Sequence, residues 1–81
     1  MSGYHLTRHA KNNLRLFRID RSDVDQTIDP SNKVADEGKY TIYLKQFPAK
    51  YGGLPLKVVT NDPDKAVISA YPLKRGWKER T

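Results

Sequence analysis

Histidine, tyrosine, lysine and arginine are the side chains with which this 81-residue chain could do chemistry, since it has no cysteine. Thiolate zinc sites, disulfide scaffolds and cysteine nucleophiles are thereby excluded. What the remaining types can support is attack of an RNA 2′-hydroxyl on its own neighbouring phosphodiester. A base must take the 2′ proton, an acid must protonate the departing 5′ oxygen, and cations must hold the added negative charge. Histidine titrates near neutrality and suits either proton transfer. Tyrosine or lysine can share that work when adjacent positive charge lowers its pKa. His9, Tyr71, Lys74, Arg75, Lys57 and Lys45 are residues of the required types.

Other chemistries fit the sequence less well. His5 and His9 have the four-residue spacing of a helical zinc pair, but the run His5-Leu6-Thr7-Arg8-His9 lacks the zincin glutamate. Thr7 as a helix N-cap also leaves His5 outside the helix, so no metal or other cofactor is expected. The acids crowd between Asp20 and Glu37, where they suit capping and solvation better than a catalytic carboxylate pair. Gly52-Gly53 is a lone pair and not a phosphate-binding loop.

Charge is segregated along the chain. Fifteen Lys and Arg against nine Asp and Glu give a formal +6. Residues 1–18 hold Arg8, Lys11, Arg15 and Arg18 with no acid, whereas residues 19–38 set Arg21 and Lys33 against six acids. Residues 39–60 hold Lys39, Lys45, Lys50 and Lys57 with no acid, and residues 61–81 set five bases against three acids. Neutralising a polyanion takes several cations on one surface, so this segregation points to a phosphate-bearing partner such as RNA.

The elements that must position these groups follow from periodicity. Thr7 caps a helix over roughly Arg8–Arg18, with Ala10, Leu14 and Phe17 turned inward and Lys11, Arg15 and Arg18 forming a basic stripe. Ser22 caps a short second helix from Asp23 to about Ile28, with Ile19, Val24 and Ile28 on its buried side, and Asp29-Pro30 ends it. The period then changes to two. Strands are expected over Lys33–Asp36, Lys39–Phe47, Leu54–Thr60 and Lys65–Leu73, with turns at Glu37-Gly38 and Asn61–Asp64. The expected architecture is α+β, with two N-terminal helices packed on one face of a small antiparallel sheet of about four strands. One domain over residues 1–81 is expected from the length. The longest apolar runs are two or three residues, and residues 1–18 have no signal-peptide h-region, so a cytoplasmic protein without membrane contact is expected.

Strand alternation divides the sheet into two faces. It places Tyr40, Ile42, Leu44, Leu54, Leu56, Val58, Ala66, Ile68 and Ala70 toward the helices. Thr41, Tyr43, Lys45, Lys57, Val59, Val67, Ser69 and Tyr71 are left on the open face. Lysines interleaved with tyrosines suit RNA, whose phosphates need cations and whose unstacked bases need aromatic surface. An ordinary solvated face, with tyrosine serving as a strand former, fits the same pattern.

The stretch HLTRHAKNNLRLFRIDRSDVDQTIDP resembles the opening of a small bacterial and phage family related to RelE-like toxins. That family has His-Ala on the first helix and a Ser/Asp-capped second helix ending near Pro. KVVTNDPDKAVISAYPLKRGWKER resembles its closing hairpin and is similar to BrnT-type toxins, in which a strand ending in Ser-Ala precedes a basic segment. The resemblance covers about residues 4–80 and implies a RelE-like (barnase–colicin–RelE) fold, metal-independent endoribonuclease activity and neutralisation by a protein antitoxin. It assigns His9 to the helix-one histidine, Tyr71 to an active-site position on the last strand, and Lys74 and Arg75 to its basic exit. Asn13 stands where the family often has Arg, and a neutral amide cannot stabilise a phosphorane as a cation would.

The leading expectation is therefore a small toxin that cleaves single-stranded RNA by 2′-hydroxyl attack. His9, Tyr71, Lys74 and Arg75 are its catalytic candidates; Arg8, Lys11, Arg15, Tyr43, Lys45 and Lys57 are its RNA-binding candidates. The alternatives are a nucleic-acid-binding module without catalysis, which Asn13 favours, and a phage protein-interaction component using the acidic block.

Overall fold

The computed structural model describes residues 3–73 and shows an α+β domain: two helices and a five-stranded mixed sheet. The chain runs β1 (His5–Leu6), α1 (Arg8–Phe17), α2 (Arg21–Thr27), β2 (Lys33–Glu37), β3 (Tyr40–Lys45), β4 (Leu56–Asn61) and β5 (Ala66–Pro72). Strand order is β1-β5-β4-β3-β2, with β1 parallel to β5 and every other neighbour antiparallel. The expected count of four strands misses β1. Two residues are too few to show a period, and β1 is instead fixed by long-range bonds: His5 N donates to the Lys65 carbonyl (2.9 Å) and Thr7 N to that of Val67 (3.2 Å). Among the described residues no helix is long and apolar enough to cross a membrane.

α1 begins as its sequence dictates. The Thr7 hydroxyl accepts from Ala10 N (3.2 Å), which satisfies one of the free amides of the first turn. At the other end Ile19 N donates to the Leu14 carbonyl (2.8 Å) and Arg18 N to that of Arg15 (3.4 Å), a Schellman closure. It requires a left-handed residue, and Arg18 occupies that place at φ 55° where glycine is usual. α2 starts two residues before the expected Asp23, with Asp20 in place of Ser22 at its N-cap; Asp20 makes no side-chain capping bond.

The core gathers Tyr4, Ala10, Ile19 and Val24 from the N-terminal segment, with Tyr43, Phe47, Leu56, Val58, Val67 and Ala70 from the sheet side. Of the apolar residues assigned to the helices, Ala10, Ile19 and Val24 are buried, and Leu14 and Ile28 pack at its margin. Phe17 is not a core residue: it is 42% exposed at the last turn of α1.

The facing of β3 is the reverse of what alternation suggests. Its two parities, Tyr40/Ile42/Leu44 and Thr41/Tyr43/Lys45, both contain residues that can be buried. Register decides between them, because directly paired residues share a face. Tyr43 pairs with Val58 and Val58 with Ala70, while Thr41 pairs with Thr60 and Thr60 with Val67. All six are buried, so these rows face the helices. The open face then holds Ile42, Val59 and Ser69 in one row and Leu44, Lys57 and Tyr71 in the next. On β5 a bulge opposite Val59–Thr60 lets Val67 and Ala70 both turn inward although they are three residues apart, so Val67 is a core residue.

Candidate nucleic-acid interface

The residues expected to meet RNA are divided among the outer face of α1, the open sheet face, the cleft beside α2 and, for Tyr43, the core. Arg8, Lys11 and Arg15 are exposed on α1, and Arg18 continues their stripe at the helix end. At about 100° per residue, the first three project within roughly 60° of one another on the outer face. Among the described residues none of the four cations forms an ion pair. The ion pairs there belong to Arg21 with Asp25, Lys33 with Asp36, and Lys50 with Asp20 and Asp23. Helix α1 thus carries its positive charge outward, uncommitted among the described residues.

The second surface is the open sheet face. Tyr71 lies there half-buried, with the Lys57 Nζ 5.6 Å from its ring centroid. Tyr40, which alternation had turned inward, is exposed on this same face, and the Lys39 Nζ is 5.6 Å from its ring.

Tyr43 and Lys45 are absent from that face. Tyr43 is a core side chain at 6% exposure, and its ring is closed to a base. Lys45 reaches toward α2, where its Nζ is 5.5 Å from the Phe47 ring and it lines an open cleft of about 450 Å³ with Asp25, Gln26, Asp29 and Asn32. Both follow from the register of β3.

His9 is exposed at the second position of α1. It belongs to the helix layer, whereas Tyr71 projects from the sheet face turned away from the helices. The described residues therefore do not bring His9 and Tyr71 onto one surface. Asn13 is half-buried on α1. Lys74 and Arg75 lie outside the described residues.

Two carboxylates that the sequence presents as turn or capping residues prove to be structural centres. Asp62, within the Asn61–Asp64 turn, accepts hydrogen bonds from Tyr4 Oη (2.7 Å), Thr60 Oγ1 (2.7 Å) and Thr41 Oγ1 (2.9 Å). Burial works to raise its pKa, but these donors and the Lys65 charge outweigh that and leave it lowered. The Thr41 hydroxyl is also 3.0 Å from Asp36 Oδ1, and its one proton serves one of the two carboxylates at a time. Asp23, expected to be solvated on α2, is buried. It accepts from Tyr51 Oη (2.6 Å) and Lys50 Nζ (2.9 Å), which ties the 47–53 loop to the helix. Its pKa also ends lowered, these bonds overcoming the desolvation that opposes them.

Burial and the neighbouring carboxylates push both phenols the other way. Tyr51 rises to about 12 and Tyr4 well above the ordinary tyrosine range. Neither is suited to proton transfer at neutral pH; each acts as a fixed hydroxyl donor. The sequence signal for these centres is slight, a single Asp within Asn-Asp-Pro-Asp and one within Ser-Asp-Val-Asp.

Among the described residues no group of three His, Cys, Asp or Glu side chains is placed to hold a metal ion. No protein-family model, curated protein or solved structure matches this chain.

Proposed function

We propose that this chain is a small RNA-binding domain that grips the phosphate backbone of single-stranded RNA with the outer face of α1. The observation that carries this reading is the stripe of Arg8, Lys11, Arg15 and Arg18, exposed and unpaired among the described residues. Stability explains only part of it: the helix dipole favours cations near the C-terminus, as at Arg15 in the last turn, but not at the other end. Arg8 stands in the first turn, where the helix dipole favours an acid, and α1 has no acid there. Arg18 occupies a left-handed position that glycine fills at lower cost. A cation at the N-terminal end and a non-glycine residue at the left-handed C-cap are departures expected where a surface serves binding. A labelled RNA oligonucleotide titrated with the protein at low and high salt tests this: binding that weakens steeply with salt supports it, and absence of binding at about 50 mM salt refutes it.

The finer form of the proposal is a RelE-like, metal-independent endoribonuclease toxin, held in check in the cytoplasm by a protein antitoxin. The sequence resemblance supports it, as does the Lys57 ammonium beside the Tyr71 ring. With His9 in another layer, the proton transfers in this form fall to Tyr71 and to Lys74, with Lys57 and Arg75 holding the phosphate. Incubation with RNA in EDTA tests it. Products that disappear in Tyr71→Phe and persist in His9→Ala support this assignment; no products, or products unchanged in Tyr71→Phe, remove it.

A further inference from the structure

Among the described residues, strand β2 closes one side of the sheet and pairs only with β3. Lys33, Val34, Asp36 and Glu37 are exposed along it, and Val34 has 54% of its surface open to solvent. Unpaired edges of this kind are templates for a further strand.

The pattern of β2 selects the strand it would accept. Lys33 and Asp36 pair with Tyr43 and Thr41, both inward-facing, so the two charges lie on the helix side of the sheet. Ala35 pairs with Ile42 on the open side, and Val34 is the extra residue of a bulge between Lys33 and Ala35. Read in either direction, the run has a charge on the helix side at each end and two apolar residues between. Reversal exchanges the cation for the anion, so the strand is complementary to itself.

We propose that β2 is the contact strand of a symmetric homodimer, pairing antiparallel with β2 of a second copy about an axis between Val34 and Ala35. This register sets Lys33 against Asp36 of the second copy, and the two-fold axis repeats the pair in the opposite sense. Val34 meets Ala35 of the second copy, which removes exposed apolar surface from water. Within one chain the Lys33 Nζ is already 2.7 Å from Asp36 Oδ2, so dimerisation joins two existing ion pairs into a four-charge network. In-register parallel pairing would oppose like charges instead, which disfavours it. The product is a continuous ten-stranded sheet with its helices on one side and an α1 packed against β5 toward each far end.

Sedimentation of the whole chain over a range of concentrations tests this proposal, which is independent of RNA binding. The expected result is a monomer–dimer equilibrium. Lys33→Asp or Asp36→Lys alone is expected to weaken it by about tenfold or more by opposing like charges, and the double exchange to restore it. Val34→Asp, at an exposed bulge position outside the core, gives the same weakening, with a melting curve that stays unchanged at concentrations low enough for both chains to be monomeric. A monomer at all concentrations up to about 0.5 mM, where even weak specific interfaces associate, overturns the proposal. So does a dimer indifferent to the single reversals and to Val34→Asp.

Discussion

Neutralising the α1 stripe measures how much of the proposed RNA binding it supplies. Arg8, Lys11 and Arg15 are replaced together by Gln, which keeps the long side chains and removes only the charge. For single-stranded RNA, each phosphate neutralised adds about −0.7 to the slope of log K against log salt. If all four cations of the stripe, Arg18 included, engage phosphates, the slope is about −2.8, and affinity falls roughly 50-fold between about 50 and 200 mM salt. The triple variant keeps one of the four, so its slope is about −0.7 and its loss over the same range is only about 2.6-fold. The three residues are exposed and make no ion pair among the described residues, so the fold should be undisturbed. Anisotropy titrations at four or so salt concentrations give both slopes, and a thermal melt checks the fold. An unchanged slope in a folded variant would place the phosphate contacts elsewhere and end the assignment to α1. A drop in affinity that is the same at every salt concentration would do so too, because it would signal lost packing and not lost counterion release.

Other substitutions probe the same framework. Arg8→Glu should stabilise the fold by about 0.3–1 kcal/mol, since an acid in the first turn complements the helix dipole, while weakening RNA binding; the melting curve and the titration are then expected to move in opposite senses. Tyr4→Phe removes a hydroxyl donor to the Asp62 carboxylate and should cost about 1.5–3 kcal/mol in urea unfolding, whereas a loss below about 0.5 kcal/mol would show that this bond anchors nothing. Phe17→Ala should cost about 1 kcal/mol or less, against the 3–5 kcal/mol expected of a buried phenylalanine. Acid should destabilise the fold through Asp23 and Asp62: with folded pKa values below their unfolded ones, their contribution is complete above about pH 4 and disappears as pH falls through the folded values. Tyr51, raised to about 12, gives the alkaline counterpart, with stability fully present below about pH 10 and lost as pH rises toward the folded value. Stability curves that are flat across both windows would contradict these assignments.

The helices and the positions of four strands were legible because their signals are local. Thr7 bonds to an amide three residues away, and the apolar spacing of Ala10, Leu14, Ile19 and Val24 is that of helices against a core. What alternation could not supply was the parity of β3, because its two candidate faces are nearly balanced. Tyr43 and Thr41 offer an aromatic ring and a hydroxyl; Tyr40, Ile42 and Leu44 offer more apolar surface. The choice comes from outside the strand. Leu56, Val58 and Thr60 on β4 are buried, and pairing carries Tyr43 and Thr41 inward with them. Thr41 is then tolerable in the interior because carboxylates lie within reach to accept its hydrogen bond, Asp62 from the β4–β5 turn and Asp36 from β2. Asp62 is 21 residues from Thr41 and 58 from Tyr4, separations that no local pattern spans.

That one reversal rearranges the candidate chemistry. Turning β3 over removes Tyr43 and Lys45 from the face that carries Lys57 and Tyr71, and puts Tyr40, Ile42 and Leu44 in their place. The open face becomes more apolar than the sequence suggests and keeps few cations of its own. The proposed phosphate-binding role therefore passes to α1, whose charges depend on no strand register because they lie on the outer side of a helix fixed by its own cap. The faces proposed for base stacking and for phosphate binding then sit on different layers, and one short RNA cannot engage both at full strength without passing around a sheet edge. Side-chain substitutions on the two layers should accordingly separate: changes on α1 alter the salt dependence, and changes at Tyr40 or Tyr71 alter affinity at fixed slope. If both sets changed the slope alike, the two surfaces would be acting as one, and the layered placement of the site would be the point at fault.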